Sequence, residues 1–197
     1  MTALAVTLCG LAAAATPLQA GTVSDFLKDA VYSYQNGALQ PYDASQLGGV
    51  KFFAFYYAGH WSTACSRYTP ELVDFYSRTK KNHPEFEVIF VSEDHSRDEM
   101  LSYMKTAKMS WLATEYHKVP QQVVQYAGKY IPCLVVVDEN GKVLASSHEG
   151  GSELGTGPVM EDLEKRLRKF KNAAGGSNPS GAEFDDFFKK PAAPGSR

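Results

Sequence analysis

Residues 59–70, Gly59-His60-Trp61-Ser62-Thr63-Ala64-Cys65-Ser66-Arg67-Tyr68-Thr69-Pro70, sit between an aromatic run and a helical pattern, and this junction decides the fold. The run before it, 51–58 (KFFAFYYA), has the length and bulk of a buried strand, its aromatics serving as core and near-groove packing. After it, Leu72, Val73, Phe75 and Tyr76 recur at helical spacing, so a helix is expected over 62–81, kinked where Pro70 removes a backbone donor. Ser62 is a good N-cap for that helix, its hydroxyl worth roughly 1 kcal/mol to a free backbone N–H. Trp61, Ser62 and Cys65 therefore stand together at a strand-to-helix turn.

Working outward, Val23, Phe26, Leu27, Ala30, Val31 and Tyr34 recur at helical spacing before Gly37, which predicts an amphipathic N-terminal helix. Residues 86–92 (FEVIFVS) read as a second buried strand, and 96–107 as a helix with Asp98 and Glu99 favourably placed in its first turn. A loop containing Trp111 and Leu112 leads to a short helix over 120–127. Ile131-Pro132 follows, then a strand over 133–138, a turn at Glu139-Asn140-Gly141 and a strand over 142–146, Asn-Gly between apolar runs being a hairpin signal. A last helix begins after Thr156, with Pro158 in its first turn and Val159, Leu163, Leu167 and Phe170 on one face. The alternation predicts an α/β fold, a mixed central sheet covered by helices on both faces.

With 44% hydrophobic residues in 197, the chain can bury one good core with tails at either end. A net charge of −2 gives no electrostatic reason to expect nucleic acid, and the basic run over 165–171 reads as a solvated helix face. Residues 1–20 read as a signal peptide ending at Ala20, too short in its apolar stretch for a membrane span, which needs roughly 20 residues. That implies a secreted or periplasmic protein with a domain over 21–172, a tail over 173–197 and no stable membrane span. Cleavage removes Cys9 and leaves Cys65 and Cys133 in a compartment that permits disulfides. Within the tail, 183–190 (EFDDFFKK) reads either as a turn of helix resting on its own domain or as a docking motif for a partner.

Several residues at consistent spacing carry a resemblance. They are His60-Trp61, Thr69-Pro70-Glu71-Leu72 with Phe75-Tyr76, Phe90-Val91-Ser92, Trp111-Leu112-Ala113, Ile131-Pro132, and 134–138 (LVVVD) with Gly141-Lys142-Val143. From about 44 to 146 the chain resembles the tryparedoxin and nucleoredoxin branch of the thioredoxin superfamily. The resemblance implies a thioredoxin-like fold with an extra N-terminal helix and a cis Ile131–Pro132 peptide facing the 62–65 turn. It also implies a groove formed by Trp61, Ser62, Ile131, Pro132 and Cys133, where an extended peptide or protein segment pairs with the backbone before the proline.

The departures bear on chemistry. In the family the first cysteine of a Trp-Cys-x-x-Cys site attacks disulfides as thiolate, favoured by the helix N-terminus, and the second resolves the adduct. Here the first position is Ser62, Thr63-Ala64 is the spacer, and Cys133 follows the proline. A hydroxyl ionises far less readily than a thiol, so ordinary dithiol exchange is expected to be lost, leaving protein or peptide binding. The alternative is redox chemistry through Cys65 alone or through a Cys65–Cys133 disulfide; alternation along the strand leaves it open whether Cys133 points toward Cys65.

No cofactor is implied. His60, His83, His95, His117 and His148 are scattered without metal-ligand spacing, arguing against a metal centre. The glycine-rich stretch 150–157 lacks the lysine and preceding strand of a phosphate loop and reads as a flexible connection. No Gly-x-Ser-x-Gly elbow surrounds Ser62, which argues against serine hydrolysis.

Overall fold

A computed structural model describes residues 21–175. The expectations for residues 1–20 and for the tail beyond 175, including 183–190, fall outside the described residues.

The N-terminal segment corrects the expectation of a long helix. A single helical turn, α1 (Val23–Phe26), ends at Leu27, and the chain passes through a left-handed Asp29 (φ 61°) into β1 (Val31–Gln35). Asn36 and Gly37, both at positive φ, form a two-residue turn into β2 (Ala38–Pro41), paired Gln35↔Ala38. Positive φ at both central residues is what a type I′ hairpin requires, and Asn-Gly supplies it. Val23, Leu27 and Val31 do pack into one core, so their four-residue spacing was real; the helix between them was not.

A 3₁₀ turn (Ala44–Leu47) then leads into β3 (Phe52–Ala58), buried throughout. Helix α2 (Thr63–Thr79) continues through Pro70 and is followed by a 3₁₀ turn (Lys80–Asn82), β4 (Phe86–Ser92) and α3 (Arg97–Thr106). The segment expected as a loop around Trp111 and Leu112 contains a three-residue strand, β5 (Leu112–Thr114), too short for periodicity to reveal. Next come α4 (Gln121–Val124), β6 (Cys133–Asp138) and β7 (Val143–Ser146). The glycine-rich connection is not featureless: β8 (His148–Glu149) and β9 (Ser152–Glu153) close a small hairpin over Gly150 and Gly151 before α5 (Thr156–Gly175).

The main sheet has seven strands in the order β2-β1-β5-β4-β3-β6-β7. β3, β4 and β5 are parallel neighbours, whereas β6, β7, β1 and β2 join antiparallel. Alternation along β3 divides the core in two. Phe52, Ala54, Tyr56 and Ala58 face α2, α3 and α5, while Phe53, Phe55 and Tyr57 face α1, the first 3₁₀ turn and α4. The three long helices thus cover one face and short pieces the other. Because β3 and β4 are parallel, their C-terminal ends deliver the 59–62 and 93–95 loops to one edge of the sheet, where antiparallel β6 begins.

Candidate functional site

Ser62 caps α2, its Oγ accepting the Cys65 N–H at 3.4 Å. The loop before it is pinned from β4: the His60 N–H donates to Asp94 Oδ1 at 2.6 Å, and Ser92 Oγ donates to Asp94 Oδ2 at 2.8 Å. The His60 ring stacks on Tyr103 at 5.2 Å. Trp61 is held flat on His95, ring centroids 5.7 Å apart, and its Nε1 donates to the Glu93 carbonyl at 2.7 Å. This placement needs Gly59, where a Cβ would come within 2.5 Å of that same Nε1. Trp61 nevertheless remains 57% exposed, a large apolar face fixed in place and offered to solvent.

A groove of about 360 Å³ opens beside it. Trp61, Ser62 and Ile131 line it, together with Tyr57, Glu93 and the 127–130 loop. The Ile131–Pro132 peptide is cis. Pro132 is half-buried next to the lining residues, and Cys133 lies behind them, 1% exposed. This corrects the expected role of the Cys133 side chain, which faces Tyr57 and Val135 rather than a ligand. Glu93, Gly128, Lys129 and Tyr130 were not singled out in the sequence. Tyr130 is 52% exposed with Lys129 Nζ 5.2 Å from its ring centre, so the rim opposite Trp61 is also aromatic. Partial burial raises the Glu93 carboxyl above the usual carboxylate range, partly offset by the charge of His117.

The two cysteines are both free and buried. Cys65 packs among the residues facing α2 and α5, whereas Cys133 belongs to the opposite core. The sheet separates them, which answers against the Cys65–Cys133 disulfide that the sequence leaves open as an alternative. Burial pushes the Cys65 thiol up, against hydrogen bonding from Ser62 and Gly59 that favours the thiolate. Burial also pushes the Cys133 thiol up, against hydrogen bonding from Ser147 and Gly128. His148 Nδ1 stands 3.5 Å from the Cys133 sulfur and 3.2 Å from Ser146 Oγ. Beneath Cys65, Thr69 Oγ1 donates to the Cys65 carbonyl at 2.8 Å and contacts the hydroxyls of Tyr56 and Tyr103.

Among the described residues no group of three or more His, Cys, Asp or Glu side chains is placed to hold a metal ion, and no helix is long and apolar enough to cross a membrane.

A helix that opens at the end of a central parallel strand, facing the loop that leads into an antiparallel strand across the sheet, is the architecture of thioredoxin-like proteins. Residues 49–143 match the family model described as Thioredoxin-like. Bovine (Bos taurus) nucleoredoxin is 33% identical over 108 residues, covering 53% of this chain and 24% of that protein. The match therefore spans about a quarter of the relative's length. Among solved structures, thioredoxin from Wuchereria bancrofti superposes with a TM-score of 0.54 at 22% identity, covering 71% of this chain and 96% of that one. Tryparedoxin II from C. fasciculata gives 0.53 at 23% identity, with 81% and 95% covered. Residues 49–143 thus form a thioredoxin-like domain, similar in sequence to part of nucleoredoxin and in fold to tryparedoxin.

Proposed function

We propose that this chain binds an extended peptide or protein segment in the groove of Trp61, Ser62, Ile131 and Pro132, and that ordinary dithiol exchange is lost at Ser62. The observation that carries the reading is the pairing of an open, pre-formed groove with the absence of sulfur at its helix end. The residue capping α2 beside the groove is a serine, and the cysteine one turn on is 0% exposed with its thiol pushed up by burial. A helix N-terminus would favour a thiolate at 62; the hydroxyl there instead accepts a backbone N–H. Binding needs none of that chemistry. Exposed aromatic faces at Trp61 and Tyr130, and the cis peptide before Pro132 at the groove, support strand-like pairing of an extended segment there. Export, implied by the apolar leader, belongs to the same proposal, with a disulfide-bearing or unfolded extracytoplasmic protein segment as the partner.

The test uses mature protein and a library of fluorophore-labelled extended peptides, binding being read by the polarisation of the peptide label. Trp61→Ala and Ile131→Arg are each expected to weaken binding at least tenfold (about 1.4 kcal/mol). Reduction of insulin-type disulfides by the wild-type chain should stay at buffer background. Turnover that is abolished by Cys65→Ser would overturn the loss of exchange, and peptide binding indifferent to both groove variants would overturn the groove.

A further inference from the structure

The basic run over 165–171, which reads in sequence as a solvated helix face, meets a second source of positive charge in the fold. At the end of α2 farthest from Ser62, a cleft of about 170 Å³ opens between that helix and α5. Arg78 and His83 reach it from the α2 side, and Arg168 and Lys171 from α5; Glu164 is its carboxylate and Asn82 a neutral polar neighbour. Three permanent cations thus converge against one carboxylate, on a chain whose net charge is −2.

Nearby partners do not explain the cluster. Arg78 is paired with Asp74 at 2.9 Å, but both side chains are more than 60% exposed, and such pairs are worth little. His83 is occupied by Glu85 at 2.7 Å. Arg168 and Lys171 make no ion pair among the described residues. Attraction to the helix macrodipole fades within the last turn. It accounts for neither residue, since the last turn of α5 holds no basic side chain and Arg168 lies about two turns before Gly175 at 3.6 residues per turn.

The size of the cleft limits what it can take. At about 170 Å³ the cleft has room for compact oxyanion groups. Two guanidinium forks and an ammonium suit phosphate oxygens, which arginine can engage through paired N–H donors.

We propose that this cleft binds closely spaced phosphate groups through Arg78, Arg168 and Lys171, independently of the peptide groove. α2 is 17 residues long and so puts about 25 Å between the two at 1.5 Å per residue.

The experiment follows backbone amide shifts of the full chain during titration with inorganic pyrophosphate at low salt. Shifts are expected at 78–83 and 164–171 and not at 59–62. Affinity should fall as salt rises, and the double variant Arg168→Ala/Lys171→Ala should lose at least tenfold. Both side chains are exposed, so the variant is expected to fold, which unchanged Trp61 fluorescence checks. A parallel arm uses phosphatidylcholine vesicles with and without phosphatidic acid. Binding to the acidic vesicles alone that disappears in the double variant assigns a lipid headgroup, and pyrophosphate binding without vesicle binding assigns a soluble phosphate compound. The proposal is overturned if pyrophosphate gives no shifts at millimolar concentration, if the double variant binds it as well as wild type, or if a glutamate-rich peptide fills the cleft and pyrophosphate does not.

Discussion

Cys65 and Cys133 flank the same groove from opposite faces of one sheet, and both are buried, yet they keep different company. Cys65 lies under the first turn of α2 with Tyr68 and Leu72 in its core, and the nearby polar groups of Tyr56, Thr69 and Tyr103 satisfy one another and the Cys65 carbonyl. Cys133 lies under the 127–131 loop, with His148, Ser147 and the Gly128 backbone around its sulfur. Burial sets the same direction for both thiols, upward, so charge state does not distinguish them. The cover does. A helix turn opens only with its tertiary packing, whereas a loop opens locally at lower free energy. Local opening, rather than acidity, is therefore expected to separate these two equally buried sulfurs.

The largest test of that contrast restores sulfur on the Cys65 side. Ser62→Cys places a thiol at the N-terminus of α2, where the helix favours thiolate, within one turn of Cys65. Reduction of insulin-type disulfides is expected to rise at least about a hundredfold over wild type, roughly 2.7 kcal/mol in transition-state terms. If the rate stays at background, the site lacks more than one atom, and the groove has diverged beyond its helix end.

Next in size is a change in the cover of Cys133. A Cβ on Gly128 would lie 2.8 Å from His148 Nδ1 and 3.2 Å from the Cys133 sulfur. Gly128→Ala is therefore expected to cost about 1–3 kcal/mol through overpacking. It should also speed alkylation of Cys133 severalfold while leaving Cys65 protected, read by mass spectrometry after a timed thiol label. Equal acceleration at both cysteines would mean that one global opening exposes them, and the contrast between helix and loop would collapse.

How much of this was legible in the sequence follows from the range of the interactions involved. β3, β4 and β6 are predominantly apolar runs, and α2 announces itself by its cap and periodicity, so the central sheet and the Trp61–Ser62–Cys65 turn could be read locally. Val23, Leu27 and Val31 misled because a helix and a turn-plus-strand can bring the same residues to one core, and nothing local marks Asp29 as left-handed. Asn36-Gly37 was a usable signal, the same residue pair that marks the turn at Asn140-Gly141. The remaining site residues were hidden for another reason. Glu93, Gly128 and Tyr130 enter the groove from separate loops, and only the parallel pairing of β3 with β4 shows that 93 lies beside 61. The placement of Cys133 depends on the register Tyr57↔Cys133, which fixes its face and separates it from Cys65.

A smaller effect concerns pH. Both thiols titrate above their unfolded value, so the stability tied to their protonated forms is complete below about pH 8.5. It is lost as pH rises through the folded values, because the unfolded chain releases those protons first. Urea midpoints should therefore fall from pH 8 to pH 9, before most of the contribution of the buried tyrosines, whose unfolded value lies near 10. Cys65→Ala and Cys133→Ala should each flatten part of the slope. A slope unchanged in both variants would assign the loss to other groups.

The smallest expected effect separates the two thiols through their acidic neighbours. Beyond burial, Glu153 and Glu93 both act on Cys133, raising its pKa, whereas the acidic neighbour that acts on Cys65 is Asp94. Glu93→Gln keeps the shape and removes the charge, so it should ease ionisation of Cys133 and leave Cys65 unchanged. The variant has a second signature of its own. The Glu93 carboxyl is raised by partial burial, so the stability it contributes is present below the unfolded value near pH 4.3 and lost as pH rises through the folded one. At pH 7 the ionised group weighs against the fold, though Glu93 is exposed enough for solvent to screen most of that cost. Melting temperature at pH 7 should rise by about a degree or less in the variant, and the difference should vanish near pH 3.5. A variant less stable than wild type at pH 7 would show that the contact with His117 outweighs burial, and that the groove floor is held by its charge rather than strained by it.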